Sequence, residues 1–286
     1  MSEREAVRDW WERNPMTYGA AHGAAAFDDG EYARGTRAFF ERLDREFYRW
    51  NAPLHRKRPF DRLFPYELYG KDADVLEIGC GLGTMAMHWA QVGANITAVD
   101  LNPTAVASTR RRFELFGLTG DIREADAMKL PFAGGRFDYA YSWGVLHHAP
   151  ELGRSLAEMM RVLKSGGGFG LMLYHRRSFM HLYMTRYVEG FLHYESRFVD
   201  ALALASRYGD ARREEGNPHT WPVTKRELRR LLAPFVQDLE FRVLGTDLDM
   251  IFKFLLPGLG SSLPAFIKKP WARRFGWGLW ASGRKR

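Results

Sequence analysis

Between residues 74 and 174 the chain alternates short apolar runs with longer amphipathic stretches. Val75-Leu-Glu-Ile78, Ile96-Thr-Ala-Val99 and Phe137-Asp-Tyr-Ala-Tyr141 are rich in β-branched and aromatic residues and read as strands. The intervening stretches place apolar side chains every three to four positions and read as helices. The pattern predicts strand 74–78, helix 83–92, strand 95–100, helix 103–116, strands 121–125 and 137–143, helix 151–163 and strand 168–174. Such alternation implies an α/β fold, a mostly parallel sheet with helices on both faces.

The flanks follow a different rhythm. Residues 1–71 are dense in aromatics and predict a helical N-terminal cap or lid. Its first helix starts at Ser2, with Glu5 placed for a capping box, and stops before Pro15; its second spans roughly 31–50. The loop between them, Asn14 to Gly23, is too apolar for a plain linker. From 72 onward the chain reads as one domain with two insertions that build an acceptor pocket, at about 175–222 and 248–272. The first insertion carries Tyr183, Tyr187, Phe191 and Tyr194 and ends in the turn-rich Glu214-Glu-Gly-Asn-Pro-His-Thr-Trp-Pro222. Thr224 and Glu227 then predict a second capping box, the sheet resumes near 237–246, and Trp277 to Ser282 closes it as an antiparallel strand.

Candidate chemistry gathers where the first strand ends. Gly79, Gly81 and Gly83 follow it at alternate positions. Without a Cβ they let backbone approach a bulky, nucleotide-like ligand and adopt dihedrals closed to other residues. The spacing is one residue tighter than the Gly-x-Gly-x-x-Gly of nicotinamide sites. Glu77-x-Gly79-x-Gly81-x-Gly83 resembles motif I of the class I S-adenosylmethionine (SAM) methyltransferases, and three later segments match that family in order. Asn95 to Asp100 ends in a carboxylate about twenty residues on, Asp126-Ala127 resembles the adenine-binding segment, and the strand from Phe137 leads to His147-His148. The resemblance covers about 72–175.

The resemblance implies a Rossmann-like, doubly wound seven-stranded sheet, mostly parallel with an antiparallel last strand. It implies SAM as cofactor, surrounded by Glu77, Gly79, Cys80, Gly81, Gly83 and Thr84, with Asp100 and Leu101 at the ribose, Asp126 and Ala127 at the adenine, and Trp143 and Gly144 after the fourth strand. By the same analogy Tyr18 stands beside the transferred methyl. His147 and His148 follow a strand at the carboxyl edge of the sheet, where a base is useful if the acceptor is a hydroxyl or a carbon that must lose a proton. His22, Tyr141, Tyr174 and His175 are weaker candidates, and Arg176 and Arg177 read either as an anion site or as solvated arginines. Neighbouring histidines without a carboxylate at ligand spacing make a poor metal site, so no metal is expected.

Composition narrows the partner. The 286 residues are 46% hydrophobic and 14% aromatic, as expected of a globular chain. The single cysteine, Cys80, rules out an intramolecular disulfide; it is either a small residue fitted to the loop or a thiol activated by the nearby helix terminus. It also removes cytosine-C5 chemistry, which needs a cysteine nucleophile. Ser142-Trp143-Gly144-Val145 replaces the Pro-Pro-aromatic motif of amino-methylating nucleic-acid enzymes, and neither His147-His-Ala-Pro nor Tyr174-His-Arg-Arg offers a carboxylate cluster to hold magnesium. The small-molecule branch, which includes the quinone and sterol methyltransferases, fits best, with an apolar or lipid-like acceptor. The net charge of +8 raises an anionic partner, but basic residues recur along the chain and no RNA-binding module is seen, so nucleic acid is disfavoured. Peripheral membrane docking through 251–286 is a further alternative, as is a homodimer in which the N-terminal region closes over a partner subunit. No long apolar run and a charged N-terminus predict a cytoplasmic protein.

Overall fold

The computed structural model describes residues 2–14, 33–209, 216–245 and 264–286. Tyr18 and His22 lie outside the described residues, as does most of the second insertion. Backbone packing divides the chain into two compact units, one of residues 1–142, 154–170 and 285, the other of 143–153, 171–284 and 286.

A seven-stranded sheet has the order β3-β2-β1-β4-β5-β7-β6 and is mostly parallel with an antiparallel last strand. Its strands are β1 (Asp74–Ile78), β2 (Asn95–Asp100), β3 (Asp121–Glu124), β4 (Phe137–Trp143), β5 (Leu163–Tyr174), β6 (Val236–Leu244) and β7 (Gly278–Lys285). In the first unit β1 pairs in parallel with β2, Val75 opposite Ile96, and with β4, Val75 opposite Tyr139; β2 pairs with β3, Asp100 opposite Glu124. Parallel pairing brings the carboxyl ends of these strands to one edge, where the candidate loop begins.

Helices α1 (Glu3–Arg13), α2 (Arg37–Trp50), α3 (Tyr66–Tyr69), α4 (Thr84–Gln91), α5 (Pro103–Phe116) and most of α6 (Leu152–Val162) belong to the first unit. The capping box of α1 forms as the sequence predicts: the Glu5 N–H donates to Ser2 Oγ at 3.3 Å and the Ser2 N–H to Glu5 Oε2 at 2.7 Å. Helix α2 starts at Arg37 rather than near 31, because Thr36 caps it by accepting the Phe39 N–H. Its Phe39, Phe40 and Leu43 pack with Leu82, Leu115 and Phe116. Beneath the sheet Phe64, Tyr66, Trp89, Tyr139 and Tyr141 form an aromatic core. Tyr141, a weak site candidate, is therefore a core residue.

β5 starts five residues earlier than the glycine run suggests. Gly166 to Gly168 read as a turn, yet a Cβ on Gly167 would lie 3.1 Å from the Asp138 carbonyl and one on Gly168 3.0 Å from the Tyr139 ring. The glycines let an extended backbone pass close to β4.

The second unit contains a π-helix (Met180–Leu192), α7 (Ala201–Gly209), α8 (Lys225–Leu232) and α9 (Ala265–Phe275). The second capping box also forms, Thr224 Oγ1 accepting the Glu227 N–H at 3.2 Å. Along the π-helix Tyr183, Tyr187 and Phe191 stack with centroids 5.8 and 5.9 Å apart. Four-residue spacing predicts a helix there but not its wider winding.

Candidate functional site

In the first unit the β1 to α4 turn is built from the three glycines. Gly83 caps α4 in the left-handed region, at φ 78°, and a Cβ there would lie 2.8 Å from Thr109 Cγ2. Gly81, at φ 52°, would meet nothing within 4 Å, so the loop presents bare backbone to open space at this position. Cys80 is buried and its sulfur accepts from Thr109 Oγ1 at 3.5 Å; burial pushes the thiol well above its ordinary range. The activated-thiol alternative is thereby removed, and Cys80 is a small residue fitted under the loop.

Asp100 ends β2 beside that loop. One carboxylate oxygen accepts the Gly81 N–H at 2.9 Å and the other the Asn102 N–H at 3.0 Å, which fixes the carboxylate before any ligand arrives. Burial raises its pKa, opposed by these backbone hydrogen bonds. Leu101 connects it to Asn102, whose side chain caps α5 through the Thr104 and Ala105 N–H groups.

Glu77 is buried, and its Oε2 has no hydrogen-bond partner. Burial raises its pKa well above the carboxylate range. Asp126 lies after β3, accepts the Met128 N–H at 2.8 Å and pairs with Arg4 of α1 at 2.7 Å. Arg4 was not legible as a site residue, because nothing in an exposed helix turn marks its partner 122 positions away. Ala127 continues the turn.

An open face at Gly81, a preset carboxylate at Asp100 and an unpartnered buried oxygen at Glu77 suit a ligand with hydroxyl donors and positive charge. SAM has both, a ribose and a sulfonium with an ammonium. Asp100 would hold the ribose, Asp126 the adenine amine, and Glu77 the positively charged portion.

The second unit holds the other candidates. Trp143 is buried against Trp280, with centroids 6.1 Å apart, and Gly144 at φ 71° donates its N–H to the Met172 carbonyl at 2.9 Å. His147 and His148 lie in a short 3-10 turn, both buried, with rings 4.1 Å apart, and Tyr174 stacks 4.0 Å from His147. The segment from Asn217 to Val223 is laced to them: Trp221 N–H donates to the His147 carbonyl at 2.9 Å and Val223 N–H to that of Tyr174 at 2.8 Å.

The two histidines differ in what surrounds their rings. His148 Nδ1 lies 3.0 Å from the His219 carbonyl and 3.1 Å from the Thr220 hydroxyl, with the Asn217 amide at 3.2 Å. The carbonyl calls for a proton on Nδ1 and the Asn217 amide N–H for a lone pair there, so the surroundings serve either tautomer. His147 is 0% exposed and neither ring nitrogen has a partner. Burial, then His148 and His219, lowers its pKa well below the histidine range and keeps it neutral. Asn217, His219 and Thr220 were missed in the sequence, where they read only as a turn; their signal was three polar residues packed between prolines and a tryptophan.

His175 is buried, with Nδ1 3.1 Å from the Gly276 carbonyl. Arg176 is half-buried and engaged within the chain. It pairs with Glu227 at 2.8 Å, donates to the Pro222 carbonyl and lies 4.4 Å over Trp221. Arg177 is exposed. Among the described residues no group of three or more His, Cys, Asp or Glu is placed to hold a metal ion.

Comparison with known proteins gives this geometry a class. Residues 76–171 match the family described as a methyltransferase domain, a match that indicates SAM as the cofactor. Over 101 residues the chain is 36% identical to the sterol 4-C-methyltransferase of Caenorhabditis elegans, a match covering 35% of this chain and 30% of that one. It is 31% identical over 148 residues to the ubiquinone biosynthesis O-methyltransferase of Cereibacter sphaeroides, covering 46% and 59%. The chain thus spans from under a third to about three-fifths of the length of these relatives. A SAM-dependent methyltransferase from Methanosarcina mazei shares the fold, with a TM-score of 0.54 at 21% identity over 78% of this chain and 98% of that one.

Proposed function

We propose that the chain transfers the methyl group of SAM to a small, apolar or lipid-like acceptor, in the cytoplasm, with S-adenosylhomocysteine as product. The observation that carries the reading is the preset Asp100 carboxylate on the open glycine loop, inside a segment that matches a methyltransferase domain. The sterol and ubiquinone relatives support an acceptor of that chemistry.

When bound, SAM supplies an electrophilic methyl on a sulfonium. The chain's own task is placement: holding ribose and adenine at Asp100 and Asp126 fixes one reactant, and such positioning is worth about 7–11 kcal/mol of barrier. His147 is the group we assign to the acceptor's proton. It is neutral, so a ring nitrogen has a free lone pair, and it has no competing protein partner. His148 and Tyr174 hold it by stacking. On the family resemblance we further assign Trp143 and Gly144 to the cofactor and Tyr18 to the transferred methyl.

The test is transfer of radiolabelled methyl from SAM to a panel of quinols, phenols, sterols and RNA, followed by extraction. Label in one extractable acceptor class is expected. Label in RNA alone, or none in any acceptor from protein that binds SAM, would overturn the reading.

A further inference from the structure

The cations recur along the chain, but the excess of charge does not. Asp249 is the last acidic residue; 250–286 contains eight of the 42 basic residues and none of the 34 acidic ones, leaving 34 of each sign before it. The whole net charge of +8 therefore resides in the last 37 residues.

Strand β7 consumes its share internally: Arg284 pairs with Asp238, and Lys285 Nζ donates to the Leu163 carbonyl at 2.7 Å. Helix α9 does not. Lys269, Arg273 and Arg274 are exposed, and among the described residues none of the three forms an ion pair. On the same short helix Phe266 is 74%, Trp271 47% and Ile267 38% exposed. Exposed large apolar side chains beside cations, with no acid among them, supply both attractions that hold a chain at an anionic lipid surface.

We propose that α9 docks on an anionic phospholipid bilayer, Phe266, Ile267 and Trp271 entering the boundary of headgroups and acyl chains while Lys269, Arg273 and Arg274 meet lipid phosphates. Charge complementarity selects this occupant. The other exposed aromatic cluster, Tyr187, Phe191 and Phe198, has Glu189 and Glu195 in its midst and lacks that bias. Nucleic acid would use the cations and could stack on Phe266 and Trp271, but it offers nothing to Ile267. No helix among the described residues is long and apolar enough to cross a membrane, so the contact is peripheral. The proposal does not depend on methyl transfer, since it is read by binding alone.

The experiment is flotation of the full chain with vesicles of phosphatidylcholine containing about one-third phosphatidylglycerol, and with phosphatidylcholine alone, near physiological salt. Wild type is expected to float with the anionic vesicles only. The double variant Lys269→Glu/Arg273→Glu is expected to lose partitioning by on the order of a hundredfold. Phe266→Ser/Trp271→Ser should lose roughly tenfold or more, with the circular dichroism and melting curve of wild type in both. Wild type that stays in solution, or a charge-reversed variant that floats as well as wild type, would overturn the proposal. So would equal flotation of the serine variant, or binding to homopolymeric RNA that the same substitutions abolish while vesicles remain unbound.

Discussion

At the sheet edge of the first unit Asp100 and Asp126 already accept backbone N–H groups, whereas in the second unit His147 is buried with no partner at either nitrogen. The first arrangement is preorganised for binding: a carboxylate fixed by main chain loses little freedom when a ligand arrives. The second is a cost borne by the fold, since an unsatisfied buried polar group destabilises by about 1–3 kcal/mol. Such costs concentrate where a group is kept available for something outside the protein. Glu77 stands between the two cases, in the first unit yet with an unpartnered oxygen.

The comparison predicts that the two regions respond oppositely to mutation. His147→Gln should lower kcat with an identified acceptor by on the order of 10² to 10³ while leaving the SAM dissociation constant unchanged. Parallel loss of both would break the division between binding and proton transfer. His147→Leu should stabilise the fold by about 1–2 kcal/mol in thermal or urea melts.

Acid sharpens the same point. A histidine whose folded pKa is depressed binds its proton in the unfolded chain first, so stability is full above the unfolded value near 6.5 and falls as pH drops below it. The slope is about 1.4 kcal/mol per pH unit for one group. His88 and His181, drawn down to about 4 by burial, add to the loss between 6.5 and 4. The difference between wild type and His147→Leu should therefore grow in favour of the variant as pH falls from 6.5.

Glu77→Gln should separate stability from binding within the first unit. The folded pKa of Glu77 is raised, so its contribution is present at low pH and lost as pH rises through that folded value. At pH 7 glutamine should then melt higher than wild type, by roughly 1 kcal/mol, yet bind SAM about tenfold more weakly for want of a negative charge. A variant that binds as well as wild type would remove Glu77 from the site. The smallest effect expected is at Arg4. Its half-exposed ion pair occupies Asp126, so Arg4→Ala should tighten SAM binding by about two- to fivefold, and added salt should tighten wild type more than the variant.

The first unit was far more legible in the sequence than the second, for a physical reason. Glu77, the three glycines and Asp100 act through strand ends and backbone geometry, which are local, so their spacing along the chain encodes their placement in space. Both capping boxes were legible on the same ground. The Arg4 to Asp126 pair and the lacing of His147 and His148 to Asn217–Val223 join positions about 70 or more residues apart. Turn chemistry marks such a segment as a turn and says nothing of what it covers. The start of β5 was obscured because glycines needed for close passage beside β4 look the same as glycines needed for a turn.

The central claim, that the loop and Asp100 hold SAM, is tested most directly by calorimetric titration of wild type and Asp100→Ala with SAM and S-adenosylhomocysteine. The account predicts roughly micromolar binding of both by wild type, weakened by on the order of a hundredfold in a variant that keeps the wild-type melting profile. Absence of binding by folded wild type, or undiminished binding by the variant, would contradict it.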